Sequence, residues 1–449
     1  MKRTYNCKAT YKKVVNVIHR IRNIAGSNSV PMIKGAFWTV LGSGFSRFAL
    51  LLASIIIARI LGKETFGEYG FIKSTILMFV VFGGDAIGLT ASKFVSQYLA
   101  ENLRDKLLQV SRFSIYTSFF TGLLLGLLVV AFSGPLSIFI SNDTTLINEV
   151  KISGVIIIIS SLNGCFQGIL TGWRLFRPLA FINIGTAFFS LVLQVAGAWY
   201  AGLSGAIAGY GVSLVINLLM LIVCNAKING FEIFVFRIRD YIELRGVFIK
   251  FSLPAALNGI LIVPVAWLGN ALLIEYAGTG EMGIYSAAFT WRNFVLMIPA
   301  LVAQVSLPFL SGLHSLKNYR DYYKILKLNV WINFSVASIV AVIISLLSGL
   351  IMETYGESFV SGKFVLVVLM LSSILASINS VVGQALNSQG KVWLGVFFNF
   401  GWALAFLFFA QLFLWRGYGS MALALAHLIA YAMHTLWQSW YVQRSLGGR

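Results

Sequence analysis

The chain predicts an all-α membrane protein, with twelve transmembrane helices in two pseudo-symmetric six-helix bundles and both termini cytoplasmic. Three observations carry this. Of 449 residues, 58% are hydrophobic and only 11% charged, a balance outside the range of soluble domains. Apolar runs of about 20 residues, the length that crosses a hydrocarbon layer as a helix, recur along the chain. The sequence also repeats itself at a fixed offset: Gly62, Gly67 and Tyr69 are matched by Gly278, Gly283 and Tyr285, and Phe181, Asn183 and Gly185 by Phe397, Asn399 and Gly401. Ser161 and Asn163 fall on Ser377 and Asn379 at the same offset. Transporters duplicated in this way place their substrate between the halves.

The elements follow in order. Residues 1–34 form a polar, basic tail in which Val14, Val17, Ile18 and Ile21 recur at helical spacing beside Lys12, Lys13, Arg20 and Arg22. That pattern fits an amphipathic helix on the anionic inner leaflet or a solvated tail that enforces orientation. Its apolar stretch is too short, and too interrupted by Asn16, His19 and Arg20, for a cleavable signal peptide. Ser29, Val30 and Pro31 read as a helix start. The first bundle, 35–224, holds spans near 36–61, 69–92, 113–133, 152–170, 179–200 and 203–224, the first two joined by a tight outer turn from Gly62 to Glu68. A cytoplasmic linker, 225–249, leads to the second bundle, 250–441. Its spans lie near 250–275, 285–310, 329–351, 364–386, 392–415 and 418–441, and residues 442–449 form a short cytoplasmic tail. Because six is even, both halves enter from the same side, so the duplication is parallel, about an axis along the membrane normal.

Orientation follows from basic flanks, which stay in the cytoplasm. With the amino terminus inside, the outer segments carry only Lys63, Lys151, Lys363 and Arg416, while all the other lysines and arginines of the loops and tails fall on the inner side. The outer segments hold Glu64, Glu68, Asp143, Glu149, Glu275, Glu281, Glu353 and Glu357 instead. The net charge of +19 therefore records topology. No segment offers the soluble basic domain or aromatic-studded basic surface that nucleic-acid binding needs. GxxxxGK[ST] does not occur, which leaves a Walker-type nucleotide motor unsupported. Cys7, Cys165 and Cys224 lie in the tail, the fourth span and the inner end of the sixth, an arrangement that does not point to a structural disulfide. No catalytic residue, metal-ligand set or cofactor is assigned. Energy must come from a proton or sodium-ion gradient, the membrane potential or the substrate's own gradient. Of the histidines, His427 and His434 share a face of the twelfth span, as a proton-linked or ligand pair or as a hydrogen-bonded helix contact.

Ionisable residues inside a membrane usually face a protein interior or a wet path. Arg59, close to the outer end of the first span, can snorkel to the headgroups. Lys73 lies about one turn into the second span. Arg47 and Asp85 are expected about 22 to 25 Å from the outer surface, where antiparallel neighbours can meet. They form either a structural ion pair or a cavity site in which Arg47 is shared between Asp85 and an anionic substrate. Gly42 and Gly44, and Gly83 and Gly84, weaken both helices at that level or let them pack closely. Arg292 belongs to the opposite half, and its repeat counterpart is Ile76, so this charge is not inherited from the duplication. Together Arg47, Lys73, Asp85 and Arg292 are the candidate substrate-binding residues of a net basic cavity. Guanidinium binds phosphate oxygens bidentately, which suits an anionic headgroup such as a diphosphate. Pro254 and Pro264 in the seventh span, and Pro299 and Pro308 in the eighth, are candidate hinges.

The opening span FWTVLGSGFSRFALLLASIIIARILGKETFGEYG and the following FGGDAIGLTASKFVSQYL resemble the polysaccharide-synthesis branch of the multidrug/oligosaccharidyl-lipid/polysaccharide (MOP) exporter superfamily, specifically Wzx-type flippases of O-antigen repeat units. The resemblance implies an undecaprenyl-diphosphate-linked oligosaccharide moved from the inner to the outer leaflet of a bacterial inner membrane, for O-antigen or other lipopolysaccharide or surface polysaccharide biosynthesis. It further implies a V-shaped bundle with a cationic cavity, ion-coupled or potential-assisted alternating access, contact with membrane lipids, and a polysaccharide polymerase and chain-length regulator as partners. The rival from the same superfamily, an ion-coupled multidrug or small-molecule exporter, is expected to place more acids inside the bundle. A membrane polymerase, ligase or glycosyltransferase is expected to need a larger outer loop.

Overall fold

A computed structural model describes residues 29–142, 144–235, 261–297, 299, 310–311, 313–314, 316–389 and 391–447. Among them, eight helices are long and apolar enough to cross a membrane. Two of these, Phe37–Ala100 with 64 residues and Phe176–Asn229 with 54, would reach about 96 and 81 Å if straight, against a hydrocarbon layer of about 30 Å. Each is broken by residues outside helical geometry. Gly62 (φ 78°, ψ 173°) separates α1 (29–61) from α2 (63–100), and Ala201 with Gly202 (φ 57°) separates α6 (176–200) from α7 (203–229). Between them run α3 (Arg104–Ala131), the short α4 (Ser133–Ser141) and α5 (Ile147–Gly172).

The second half is built alike. Gly278 (φ 81°, ψ 176°) separates α8 (263–277) from α9 (279–295) with almost the backbone conformation of Gly62. That region of conformational space is open to glycine and strained for other residues, which explains why both halves keep one there. Then come α10 (Tyr319–Leu346), the short α11 (Ser348–Tyr355), α12 (Lys363–Ser388), α13 (Val392–Trp415) and α14 (Ser420–Gly447).

Helix ends depart from the expected spans for one reason: hydropathy marks the part of a helix in hydrocarbon, not the turns that project into the headgroups. Thus α3 begins at Arg104 rather than 113, and α10 at Tyr319 rather than 329. The expected Gly62–Glu68 turn shrinks to Gly62 alone, because 63–68 is the first part of α2. Around Asp85, α2 makes a π turn, Val81–Asp85. Within this turn the Gly83 carbonyl accepts the Ser118 hydroxyl at 2.7 Å. Gly84 and Gly88 meet Gly164 and Gly168 of α5, and a Cβ at Gly84, Gly88 or Gly168 would press on the opposing backbone. The glycines at this level therefore serve close packing, as in small-xxx-small membrane contacts.

Most helices of 29–229 pack on one another, as do most of 263–447; the exception is the pair 29–80 and 263–295, which pack extensively on each other across the two bundles. Buried apolar side chains form three clusters. One, at the end carrying Gly62 and Gly278, contains residues of both bundles, including Phe66, Phe71, Ile284 and Phe359. The other two lie at the far end and are each confined to one bundle, around Val95 and Ile169 in the first and Tyr322 and Leu386 in the second. Among the described residues, then, the bundles share a core at the Gly62 end and have separate cores at the far end.

The shared end is tight. Gly67 faces the Thr279 carbonyl and Gly283 amide, and Gly283 faces the Lys63 carbonyl, so the repeat-related glycines are the point where α2 and α9 touch. Phe66 packs on Tyr355 and Phe359 at ring distances of 6.3 and 6.0 Å. Trp267 of α8 donates its indole N–H to the Thr75 hydroxyl at 2.8 Å, and Arg59 donates to the Thr354 carbonyl at 2.6 Å. Arg59 is thus a strut between bundles, in addition to lying near the interface where it was expected to snorkel.

Candidate functional site

Directly beneath this shared end lies a chamber of about 600 Å³ between the bundles. α1 contributes Ser46, Arg47 and Leu50; α2 contributes Tyr69, Lys73 and Ser74; α6 contributes Asn183, Thr186, Ser190 and Gln194; and α7 adds Tyr210 and Ser213. Across from them, α8 supplies Asn270 and α9 supplies Tyr285, Phe289, Thr290, Asn293 and Phe294. Among the described residues, the charged lining side chains are Arg47 and Lys73, both cationic, and no carboxylate lines the chamber. Both belong to the first bundle; the second presents amides, hydroxyls and aromatic rings.

The two cations are held differently. The Lys73 Nζ is 3.3 Å from the Tyr69 hydroxyl and lies over the rings of Tyr69 and Tyr210 at 5.2 and 5.0 Å. Such rings hold a cation by their negative faces without neutralising it. Tyr69 in turn donates to the Gln194 side-chain carbonyl, and the Gln194 amide donates to the Ser190 carbonyl at 3.0 Å, so a buried hydrogen-bonded string positions the ammonium. Arg47 is exposed to the chamber. Among the described residues no hydrogen bond or ion pair occupies its guanidinium, leaving its fork of donors free for a ligand.

Asp85 stands elsewhere. With α2 starting at residue 63, Asp85 is about 34 Å from the Gly62 break along the helix, whereas Arg47 is about 22 Å from it. The equal depths expected from the sequence rested on counting from Glu68. Their axial offset explains why no ion pair joins them among the described residues, and Asp85 is exposed rather than part of the chamber lining. By the same count Lys73 is about 16 Å down, deeper than one turn.

Arg292 is also outside the lining. It is 4% exposed, points into the second bundle, and donates from Nε to the Ser372 hydroxyl at 3.3 Å. Its guanidinium lies between the rings of Phe289 and Tyr431, 5.2 Å from each. Of the hinge candidates, Pro254 and Pro308 lie outside the described residues. Pro264 occupies the first turn of α8, where a missing N–H costs nothing. Pro299 is itself a buried, helical residue beyond the end of α9. α9 stops at Val295, the residue whose carbonyl the ring of Pro299 would oppose.

Sequence reasoning missed the tyrosine hubs. Tyr69 and Tyr285 were noted only as repeat marks, yet both line the chamber, and each anchors a polar string in its own bundle: Tyr69 to Gln194, and Tyr285 to His427 at 2.9 Å. Their match at the repeat offset was the available signal.

Residues 32–314 match the model of a family described as polysaccharide biosynthesis protein. The chain is 22% identical over 433 residues to the EPS I polysaccharide export inner membrane protein EpsE of Ralstonia nicotianae, covering 91% of this chain and 94% of that one. The EpsE of Ralstonia solanacearum is 22% identical over 428 residues, with the same coverage. Among solved structures, an inward-facing multidrug resistance MATE family transporter of the MOP superfamily superposes with a TM-score of 0.74 at 14% identity, over 90% of this chain and 96% of that one. A MOP superfamily transporter from Pyrococcus furiosus, whose binding pocket is described as of reverse polarity, superposes at 0.69 and 14% identity, over 94% and 98%. The fold is therefore the helical MATE-like fold of that superfamily.

Proposed function

The chain belongs to the polysaccharide biosynthesis protein family, and we propose that it flips an undecaprenyl-diphosphate-linked oligosaccharide, an O-antigen or other surface polysaccharide repeat unit, across the bacterial inner membrane. The observation that carries this reading is the chamber: among the described residues its charged lining groups are Arg47 and Lys73, with no carboxylate beside them. A diphosphate supplies the opposite charge and acceptor oxygens for a free guanidinium fork. Neutral amides and hydroxyls around it suit saccharide hydroxyls. The polyprenyl chain, far larger than the chamber, stays in the bilayer. A multidrug exporter shares the fold, but a chamber of this sign repels organic cations.

In this reading the chain has twelve spans and cytoplasmic termini, with residues 35–224 and 250–441 as the two bundles, 225–249 as the linker between them and 1–34 and 442–449 as the tails. The end closed by Gly67 and Gly283 then faces outward, and the chamber is served from the cytoplasmic side where lipid-linked glycan is made. A polysaccharide polymerase and chain-length regulator act on the product at the outer face. Replacing Arg47 or Lys73 by alanine is the test. Each variant is expected to remain in the membrane at wild-type amounts while a host dependent on this protein loses surface glycan and accumulates lipid-linked repeat unit in the inner leaflet. Normal glycan display by the double variant would remove the reading.

A further inference from the structure

Within the second bundle, away from the cationic chamber wall, lies an ionisable cluster that this function does not use. Its centre is His427, 1% exposed. The ring bonds through Nε2 to the Tyr285 hydroxyl at 2.9 Å, lies 4.5 Å from the Phe406 ring and stacks at 15° on Tyr431. Among the described residues its Nδ1 has no partner. On the neighbouring turns the Arg292 Nη2, Trp402 Nε1 and His434 Nδ1 are equally bare, though all are buried. Among the described residues, the titratable and charged groups facing His427 are Tyr285 and Arg292 from α9 and Tyr431 and His434 from α14; α13 presents Trp402 and Phe406, and α12 presents Ser372 to Arg292. The described acids of this bundle, Glu275, Glu281, Asp321, Glu353 and Glu357, sit at helix ends.

Bare polar atoms in a membrane bundle are hydrated or are waiting for a ligand. Here they are not scattered. His427, Tyr431, His434 and Gln438 follow one another at helical spacing on one face of α14, and His434 is bonded to Gln438 at 3.0 Å. This polar stripe runs about 16 Å from the cluster toward the C-terminal end of α14. At its other end Tyr285 is both the partner of His427 and part of the chamber lining, two residues past the Gly283 contact that closes the bundles.

We propose that His427 is a proton-binding site, reached along the His434–Gln438 stripe and coupled through Tyr285 to the contact between the bundles. In the tautomer whose Nε2–H donates to the Tyr285 hydroxyl, Nδ1 is the unprotonated nitrogen and takes the incoming proton. The ring then carries a positive charge near Arg292, and among the described residues no carboxylate faces either. This arrangement resists the second charge, so the protonated state favours one in which α9 and α14 have moved relative to each other and the Gly67–Gly283 contact is loosened. The inference rests on the proposed function only in taking the two bundles to move.

The test needs no glycan. In a cysteine-free full-length background, spin labels at Glu64→Cys and Glu357→Cys, exposed positions at the closed end, report bundle separation by pulsed electron resonance in lipid nanodiscs. As the pH is lowered from about 8 to about 4.5, the long-distance population is expected to grow, by at most about tenfold per pH unit for one proton. His427→Gln is expected to flatten this response and His434→Gln to preserve it. Tyr285→Phe, which keeps the ring and loses the hydroxyl, is expected to move the midpoint by about half a pH unit or more. A wild-type distance distribution indifferent to pH, or a folded His427→Gln or Tyr285→Phe variant that titrates like the wild type, overturns the proposal. Failure of the Arg47 and Lys73 glycan test would leave a pH response intact, so the two readings fail separately.

Discussion

Gly67→Ala tests whether the bundles close on the repeat-related glycines. A Cβ built there falls inside 3.0 Å of the Thr279 carbonyl oxygen and carbon and of the Gly283 nitrogen. All three are backbone atoms, so no rotamer change relieves the clash, and α2 must back away from α9. Overpacking of this kind costs about 1–3 kcal/mol, which disfavours the closed end by roughly 5- to 150-fold. The same change at Gly62, where a Cβ meets nothing within 4 Å, leaves the contact untouched and strains only the backbone. The assay is labelling of Ser74→Cys, a chamber position, by a membrane-impermeant maleimide added outside spheroplasts, in a cysteine-free background. Gly67→Ala is expected to raise the labelling rate several-fold and to lower glycan display. An unchanged labelling rate with stable protein would refute the idea that this contact holds the chamber shut.

Arg292→Ala is expected to lose surface glycan together with protein, because it empties a buried site between Phe289, Tyr431 and Ser372; membrane immunoblots separate this from the stable, inactive Arg47→Ala. Asp85→Asn is expected to keep wild-type glycan and protein levels, since the side chain is exposed and unpaired with Arg47; loss of either would restore a role for that carboxylate. Arg59→Ala removes one charge-assisted bond to the Thr354 carbonyl, worth about 1.5 kcal/mol at most in an exposed setting. It should raise outside labelling at Ser74→Cys modestly while glycan display persists.

Much of the architecture was legible because it rests on hydropathy and on glycine. The spans are long apolar runs, and the repeat at Gly62 and Gly278 marks two backbone breaks of nearly equal geometry. Arg47 and Lys73 were legible because a charge in an apolar run demands an explanation. Depth was not. Residues 63–68 look like a loop by composition, yet they are helical, and that single misplacement put Asp85 beside Arg47. Direction was not legible either: Arg292 and the chamber-lining Phe289 and Asn293 are neighbours on α9, and only packing against α12 and α14 turns the guanidinium inward. Gly83 and Gly84 read equally as a bend or as a packing face, and the structure makes them both.

That the chamber's cations sit on the first bundle alone has an electrical consequence. Whatever fraction of the transmembrane voltage those groups traverse as the bundles swing, the work is about 2.3 kcal/mol per charge for a full 100 mV drop. The proposed diphosphate cargo, with two negative charges, would cancel Arg47 and Lys73 and leave the loaded passage nearly silent to voltage. On that proposal the empty return would carry both charges back toward a negative interior, and this is the stroke a polarised cell would accelerate.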